Sequence, residues 1–275
     1  MNDQQVMHAM HIDDSYRVER VLTDGVSGTT ELVTADGIGP FVRKKIPNEL
    51  ARRRVWSTLS ECNCPRLPHV EATYELPEQF VVVYDFVPGA SLEHLMRERA
   101  ESKKISSCEQ PASERNEHPE ALAASEAIRM TCEICEAASA LHSHGIVHRD
   151  ISPANVIMAP DGAHLIDLGI ARMRVEGASR DTASLGTWGF ASPEQYGFAQ
   201  TDARSDVYSI GRLLGYALTG VMPGGPDYDA ALLNAGIDSK ILSIIDKACA
   251  FEPSNRYLNA QDLSCALREA TGFLT

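Results

Sequence analysis

The sequence predicts an α+β protein in which a strand-rich front part precedes a helix-rich back part. Short runs of β-branched and aromatic residues, separated by turn signals, fill residues 16–86. After residue 121 the apolar residues recur at helical spacing instead. Because strands and helices do not alternate along the chain, segregated α+β architecture is favoured over a parallel α/β sheet.

The front part contains five predicted strands and one helix. The strands cover residues 16–22, 31–34, 41–46, 70–74 and 80–86, and Asp36-Gly37 is a hairpin signal between the second and third. Asn48 offers an N-cap for a helix over 49–60, where Leu50, Val55 and Leu59 are spaced for one face.

The back part is predicted to be helical over residues 92–99, 121–144, 206–218, 240–249 and 260–270. A polar stretch at about 98–120, with few large apolar groups, reads as a surface loop or disordered insertion. Residues 1–15 form a polar, acidic N-terminal tail without the apolar region of a signal peptide.

Composition limits the classes of partner and the compartment. The 275 residues are 44% hydrophobic and carry a net charge of −13, which disfavours binding of nucleic acid or an anionic membrane through the general surface. No apolar run approaches the length of a spanning helix. Seven cysteines, an odd number, favour reduced thiols and a cytoplasmic location.

The most informative stretch is residues 145–157, which places Asp150 and Asn155 on a loop that Pro153 keeps from being helical. A second carboxylate, Asp167, follows a short apolar strand and precedes Gly169. One carboxylate can accept a proton from an alcohol, while the other and the amide offer the hard oxygen ligands that Mg²⁺ prefers. Phosphoryl transfer needs chiefly such positioning and charge neutralisation.

These residues resemble the catalytic loop and metal-binding triplet of the eukaryotic-type (bacterial-like) serine/threonine protein kinase family. The resemblance covers residues 16–270. It implies a bilobal fold, with a small antiparallel β-rich N-lobe at about 16–87 and a larger helical C-lobe at about 88–270. It also implies that Asp150 is the catalytic base and that Asn155 and Asp167 bind metal.

The family pattern also assigns structural roles in the back part. Arg149 matches the arginine that often pairs with a phosphorylated activation loop. Glu194, in Ser192-Pro193-Glu194, is expected to form a buried ion pair with Arg256, and Asp206 to brace the catalytic loop. His142 and His144 precede that loop and are expected to contact carbonyls or solvent.

The nucleotide end of the resemblance lies in the front part. In the family, a small apolar residue two positions before the ATP-binding lysine lies on the same strand face and packs on the adenine. Strand alternation puts Val42 with Lys44 and Arg43 with Lys45, so the resemblance favours Lys44. Tyr84 matches the gatekeeper position, and the backbone of Asp85 and Val87 is expected to bind the adenine edge. The remaining expected ATP-binding residues form the glycine-rich loop: Leu22, Gly25, Val26 and Gly28.

Thr187 and Pro153 favour serine/threonine specificity by their match to the family. Four hydroxyl residues are candidate phosphosites of the activation loop: Ser179, Thr182, Ser184 and Thr187.

Two departures from the family pattern keep a rival function open. Residues 50–60 contain no acidic partner for the lysine, and only Glu49 and Glu61 flank the gap. Ser152 stands where serine/threonine kinases usually carry a catalytic-loop lysine.

The function predicted is therefore ATP- and Mg²⁺-dependent phosphorylation of serine or threonine in proteins, with Mn²⁺ as an alternative ion and autophosphorylation open. The alternatives are a nucleotide-binding pseudokinase that acts as a regulator, and a small-molecule kinase. The protein substrate is unknown, neither nucleic acid nor membrane is expected as a partner, and a regulatory protein or a homodimer stays open.

Overall fold

The computed structural model describes residues 3–106, 121–169, 171–173, 186–197 and 200–272. The chain divides into two compact units, Met1–Val87 and Pro88–Thr275. The predicted α+β segregation is confirmed, because the first unit is built on a five-stranded sheet and the second is mainly helical.

The first unit is an antiparallel sheet in the order β1-β2-β3-β5-β4. Its centre is apolar, because Val81, Val82 and Val83 are fully buried. The strands are β1 (Tyr16–Gly25), β2 (Gly28–Ala35), β3 (Ile38–Pro47), β4 (Val70–Glu75) and β5 (Gln79–Asp85).

Two helices cover opposite faces of this sheet. Helix α1 (Asp3–Asp14) buries Ala9 against Val81 and Val83. Helix α2 (Arg53–Leu59) packs on the other face, where the ring of Trp56 stacks on Tyr84 with centroids 6.0 Å apart. The alternation of side chains along β3 therefore decides which helix each residue faces.

The sequence predictions for these helices need two corrections. Helix α1 lies in the segment read as a polar tail, where its weak amphipathic pattern gives little signal. Helix α2 begins at Arg53, and Asn48 is not its N-cap. The Asn48 side chain instead donates to the Pro77 carbonyl and accepts from Arg53, so it joins this segment to the β4–β5 turn.

The second unit is organised around α4 and α5, which pack on each other and on α8. Its helices are α3 (Leu92–Ser106), α4 (Ala124–Ser143), α5 (Ala203–Thr219), α6 (Tyr228–Asn234), α7 (Ser239–Ala248) and α8 (Ala260–Thr271). Its short strands are β6 (Ala90–Ser91), β7 (Ile146–Val147), β8 (Val156–Ala159), β9 (Gly162–Leu165) and β10 (Arg172–Met173).

Local sequence explains the bounds of α5. The Asp202 side chain accepts from the Arg204 N–H in a capping box with Ser205, and Gly220 ends the helix in the left-handed region at φ 72°. Helix α3 extends to Ser106, so part of the polar segment is helical, while residues 107–120 lie outside the described residues. Among the described residues, no helix is both long and apolar enough to cross a membrane.

Candidate active site

The loop after β7 is held by a buried carboxylate from α5. Asp206 is fully buried and accepts hydrogen bonds from the backbone N–H groups of His148 and Arg149, each at 2.9 Å. Arg149 has a left-handed backbone at φ 69°, a conformation that costs energy in a residue with a side chain. The paired hydrogen bonds therefore fix a strained turn directly before Asp150.

The same carboxylate has a histidine partner. His142 Nε2 lies 2.7 Å from Asp206 Oδ2, so the expectation that His142 contacts carbonyls or solvent is wrong, while His144 does lie 2.8 Å from the Ala140 carbonyl. Burial by itself raises the pKa of Asp206. The hydrogen bond from His142, the charges of His142 and His148 and the Arg149 N–H outweigh burial and lower that pKa. Asp206 is thus ionised at neutral pH.

The Asp150 carboxylate receives hydrogen bonds on both oxygens. Asn155 Nδ2 donates to Asp150 Oδ2 at 3.0 Å and to the Asp150 carbonyl at 2.9 Å. Thr187 donates to Oδ1 through its hydroxyl at 2.7 Å and through its N–H at 3.0 Å. These donors fix the orientation of the carboxylate, the group that can accept a proton from an alcohol.

Of the four candidate phosphosites, Thr187 is the one whose hydroxyl contacts Asp150 among the described residues. A phosphate on its hydroxyl would replace a donor by a dianion beside the Asp150 carboxylate. The other candidate phosphosites, Ser179, Thr182 and Ser184, lie outside the described residues.

The second carboxylate is placed by the backbone of Ile166, just after β9. The Ile166 N–H donates to the Asn155 carbonyl at 2.9 Å, and the Ile166 carbonyl lies 3.2 Å from His148 Nε2. Asp167 follows in the left-handed region at φ 59°, and its Oδ1 accepts from the Gly169 N–H. The structure thus links the segment of Asp167 to the Asn155 backbone.

The oxygens of Asn155 and Asp167 fit a hard divalent cation. Both donors of the Asn155 amide nitrogen point to Asp150, so its amide oxygen faces elsewhere. Within the described ranges, no group of three or more His, Cys, Asp or Glu side chains is placed to hold a metal. Two protein oxygens suit Mg²⁺, which keeps several waters and binds phosphates.

Glu194 and Arg256 form a bidentate pair at 2.7 and 2.9 Å, with side chains 4% and 0% exposed. Arg256 also donates to the carbonyls of Arg204, Ala250 and Phe251. Burial raises the pKa of Glu194, but hydrogen bonds from Arg256 and from Ser205, together with the Arg256 charge, bring it below its ordinary value. The pair joins the turn Pro193–Tyr196 to α5 and to the α7–α8 loop.

The two lysines of β3 lie on opposite sheet faces. Lys45 Nζ lies 2.6 Å from Asp13 Oδ2 at the end of α1, and the buried Arg43 also pairs with Asp13. Lys44 pairs across the strands with Val82, and its neighbour Val42 with Tyr84, on the face that carries α2. Lys45 therefore lies on the sheet face that carries α1, and Lys44 lies on the face that carries α2.

The predicted glycine-rich loop is a two-residue hairpin turn between β1 and β2. Val26 is 98% exposed at its tip, and Leu22 is 37% exposed. Gly28 has φ 112°, and a Cβ there would lie 2.0 Å from the Lys45 carbonyl. Gly25 has open space around it. Close approach of β3 explains Gly28 directly, a constraint the sequence did not reveal.

The remaining ATP-binding predictions lie at the end of β5. Tyr84 is buried against Trp56. The Asp85 N–H donates to the His69 carbonyl at 2.9 Å, so an adenine contact at Asp85 would use its carbonyl. Val87 is half-buried at the end of the first unit.

Sequence reasoning missed one buried group beside the catalytic loop. Gln195 is fully buried and donates to the Arg149 carbonyl at 2.7 Å. Its position directly after Glu194 in a polar stretch carries no periodic signal that could have distinguished it from an exposed turn residue. Ser152, in the place of the usual lysine, is also buried, at 1% exposure.

Comparisons with known proteins identify the family and the fold of the chain. A model of the protein kinase domain matches residues 16–268. Serine/threonine-protein kinase PknB of Mycolicibacterium smegmatis is 33% identical over 159 residues, which are 51% of this chain and 25% of that protein. The probable serine/threonine-protein kinase PknB of Lactococcus lactis is 27% identical over 229 residues, 78% of this chain and 33% of that protein.

The chain thus spans about a quarter to a third of the length of these curated relatives. Among solved structures, the kinase domain of PknI from Mycobacterium tuberculosis superposes with a TM-score of 0.67. That likeness covers 94% of this chain and 96% of the other, at 22% sequence identity, and therefore shows a shared fold.

Proposed function

The chain belongs to the protein kinase domain family, and on that basis we propose that it transfers the γ-phosphoryl group of ATP to serine or threonine hydroxyls of proteins. The kinase-like fold implied by the sequence is confirmed. The observation that carries the proposal is the orientation of Asp150, whose two carboxylate oxygens are held by Asn155 and Thr187.

In the proposed reaction, Asp150 orients the substrate hydroxyl and accepts its proton as the oxygen attacks phosphorus. Kinases of this family generally use ATP with a divalent cation. Asn155 and Asp167 would hold Mg²⁺, or Mn²⁺ in its place, and the ion would neutralise charge on the phosphates. Lys44 would contribute a fixed positive charge to the same phosphates.

Two observations support a nucleotide-binding regulator as the second candidate. Helix α2 contains no acidic residue, although the family normally carries a glutamate in this helix. Ser152 is buried and supplies no positive charge to a transferred phosphate. This candidate predicts ATP binding without turnover.

The substitution Asp150→Asn separates the two candidates. We expect it to lower phosphate incorporation about 100- to 10,000-fold, the usual contribution of a general base, while thermal stabilisation by ATP persists. The measurement is transfer of labelled phosphate from ATP with Mg²⁺ or Mn²⁺ to a generic protein substrate and to the chain itself.

The matched control is Asp161→Asn, since that exposed side chain lies on the β8–β9 turn and pairs with His164. It should retain wild-type transfer. Equal transfer by Asp150→Asn and the wild type would contradict the assignment of Asp150. A wild type that binds ATP but transfers nothing would favour the regulator.

The cellular setting is also a proposal. No disulfide joins the six cysteines that lie in the described ranges, in keeping with the predicted cytoplasmic location. The relatives are named as protein kinases, which supports a protein substrate for this chain. The substrate's identity and any regulatory partner or homodimer stay open.

A further inference from the structure

We propose that Gln195 is a positioning residue for Asp150, and that it acts by holding the Arg149 carbonyl. The proposal rests on the proposed kinase function and deepens it. Gln195 donates to the carbonyl of Arg149, the residue directly before Asp150, so its effect passes through the peptide that joins Arg149 to Asp150.

The hydrogen bonds of Gln195 connect two segments. Its Nε2 donates to the Arg149 carbonyl at 2.7 Å. Its Oε1 accepts from the Ser192 N–H and hydroxyl, both at 3.1 Å. Because the Arg149 carbonyl can only accept and the Ser192 N–H can only donate, this network fixes which end of the amide faces each.

The two peptide groups that flank the Arg149 Cα are thereby both held. Asp206 accepts from the Arg149 N–H on one side, and Gln195 donates to the Arg149 carbonyl on the other. The left-handed backbone of Arg149 would relax without such contacts, because that conformation is unfavourable for a side-chain-bearing residue. A change in the φ and ψ angles of Arg149 would move the Cα of Asp150 and with it the carboxylate.

An apolar side chain cannot replace the buried amide at this position. Gln195 is 0% exposed, and loss of its amide would leave the buried Arg149 carbonyl without its donor. The same short segment supplies Thr187, which donates to Asp150. The segment 187–195 therefore contacts both the Arg149 carbonyl and the Asp150 carboxylate.

The decisive variant is Gln195→Glu, measured as kcat over a range of pH. The carboxylate form loses the donor to the Arg149 carbonyl, whereas the protonated form regains it and keeps the acceptor for Ser192. Burial raises the pKa of this introduced carboxyl, as do the nearby carboxylates of Asp150, Glu194 and Asp206, while the Arg149 and Arg256 guanidinium groups oppose the shift.

We expect kcat of Gln195→Glu to fall about 10- to 100-fold at pH 8 relative to the wild type at the same pH, with KM for ATP nearly unchanged. The deficit should shrink as the pH is lowered to 6. Gln195→Met, which cannot donate at any pH, should show a deficit that does not shrink. Gln261→Glu, on the surface of α8, should match the wild type throughout.

A purely structural role would lower the melting temperature without this pH-dependent recovery of kcat, and that outcome would overturn the proposal. Should Gln195→Glu not fold, Ser192→Ala provides the test, because it removes one of the two donors to Oε1. A two- to tenfold lower kcat is then expected, and an unchanged kcat would overturn the proposal.

Hydrogen–deuterium exchange across residues 148–155 keeps the inference independent of activity. Faster exchange there in Gln195→Glu than in the wild type at pH 8 is expected, and identical exchange would overturn the inference. An inactive wild type whose exchange responds in this way would contradict the proposed function alone.

Discussion

Each unit of the chain contains a largely buried cluster of charged and polar side chains, but the two clusters bind different groups. In the first unit, the anchoring cluster joins side chains to one another, and Arg43 also donates to the Asp13 carbonyl at the end of α1; its members are Asp13, Glu31, Arg43, Lys45 and Tyr74. In the second unit, the bracing cluster also binds the main chain of the catalytic loop and its surroundings, through Asp206, Gln195 and Arg256. The first cluster holds a helix on a sheet, and the second holds the shape of a loop.

This difference predicts which cluster matters for chemistry. Side-chain pairs can often be replaced by apolar groups of similar volume, because desolvation offsets much of their attraction. Carbonyl and N–H groups of a strained loop have no such substitute, since they stay in place when the side chain is removed. Variants in the bracing cluster should therefore affect both stability and activity, and variants in the anchoring cluster stability alone.

The largest effect on stability is expected from Glu194→Gln. It leaves the fully buried Arg256 guanidinium without a counter-charge, which costs about 3–5 kcal/mol in comparable buried pairs. Urea unfolding measures the loss. Glu252→Gln, an exposed site on the neighbouring turn, is the control and should change the unfolding free energy by less than about 0.5 kcal/mol. A loss below about 1 kcal/mol in Glu194→Gln would remove the distinction between buried and exposed charge.

Substitution of the adjacent lysines tests the comparison within a single strand. Lys44→Met should lower phosphate transfer about 100- to 1,000-fold, since under the proposed function it removes a positive charge that would bind the phosphates. Lys45→Met should leave transfer per folded molecule unchanged and destabilise the fold by about 1 kcal/mol through loss of the Asp13 pair. The two measurements are transfer kinetics and thermal unfolding. The reverse pattern would show that Lys45 is the ATP-binding lysine.

The smallest effect on activity is expected from Asp13→Asn in the anchoring cluster. The change keeps the shape but weakens contacts to Arg43, Lys45 and Tyr74, and we expect a loss of about 1–3 kcal/mol in unfolding free energy. Transfer by the folded fraction should match the wild type. A fall of tenfold or more in transfer, at full folding, would show that the anchoring cluster also acts on chemistry.

The sequence identifies the motif residues of the candidate site, but it does not reveal the contacts that support them. Asp150, Asn155 and Asp167 stand out in the sequence because their residue types and spacing suit phosphoryl transfer, and strand alternation together with the family pattern separates Lys44 from Lys45. Local signals of this kind act over a few residues, so they can be read from a single chain.

The supporting contacts depend on distant residues and could not be read in this way. His142 lies 64 positions from Asp206, and Gln195 lies 46 from Arg149. No local pattern specifies such pairs. Helix α1 escaped prediction for the same reason, because its attachment depends on Asp13 meeting charges of β3 across 30 and 32 positions.

The paired lysines of β3 also bear on the accuracy of folding. If β3 slipped by one residue against its neighbours, each side of the sheet would still carry a lysine. The two lysines alone therefore do not distinguish the correct register from the shifted one. The slip would, however, turn Arg43 away from Asp13 and Glu31, and it would move the carbonyl that Gly28 alone can accommodate. The register of β3, and with it the sheet face on which each lysine lies, thus depends on residues other than the two lysines.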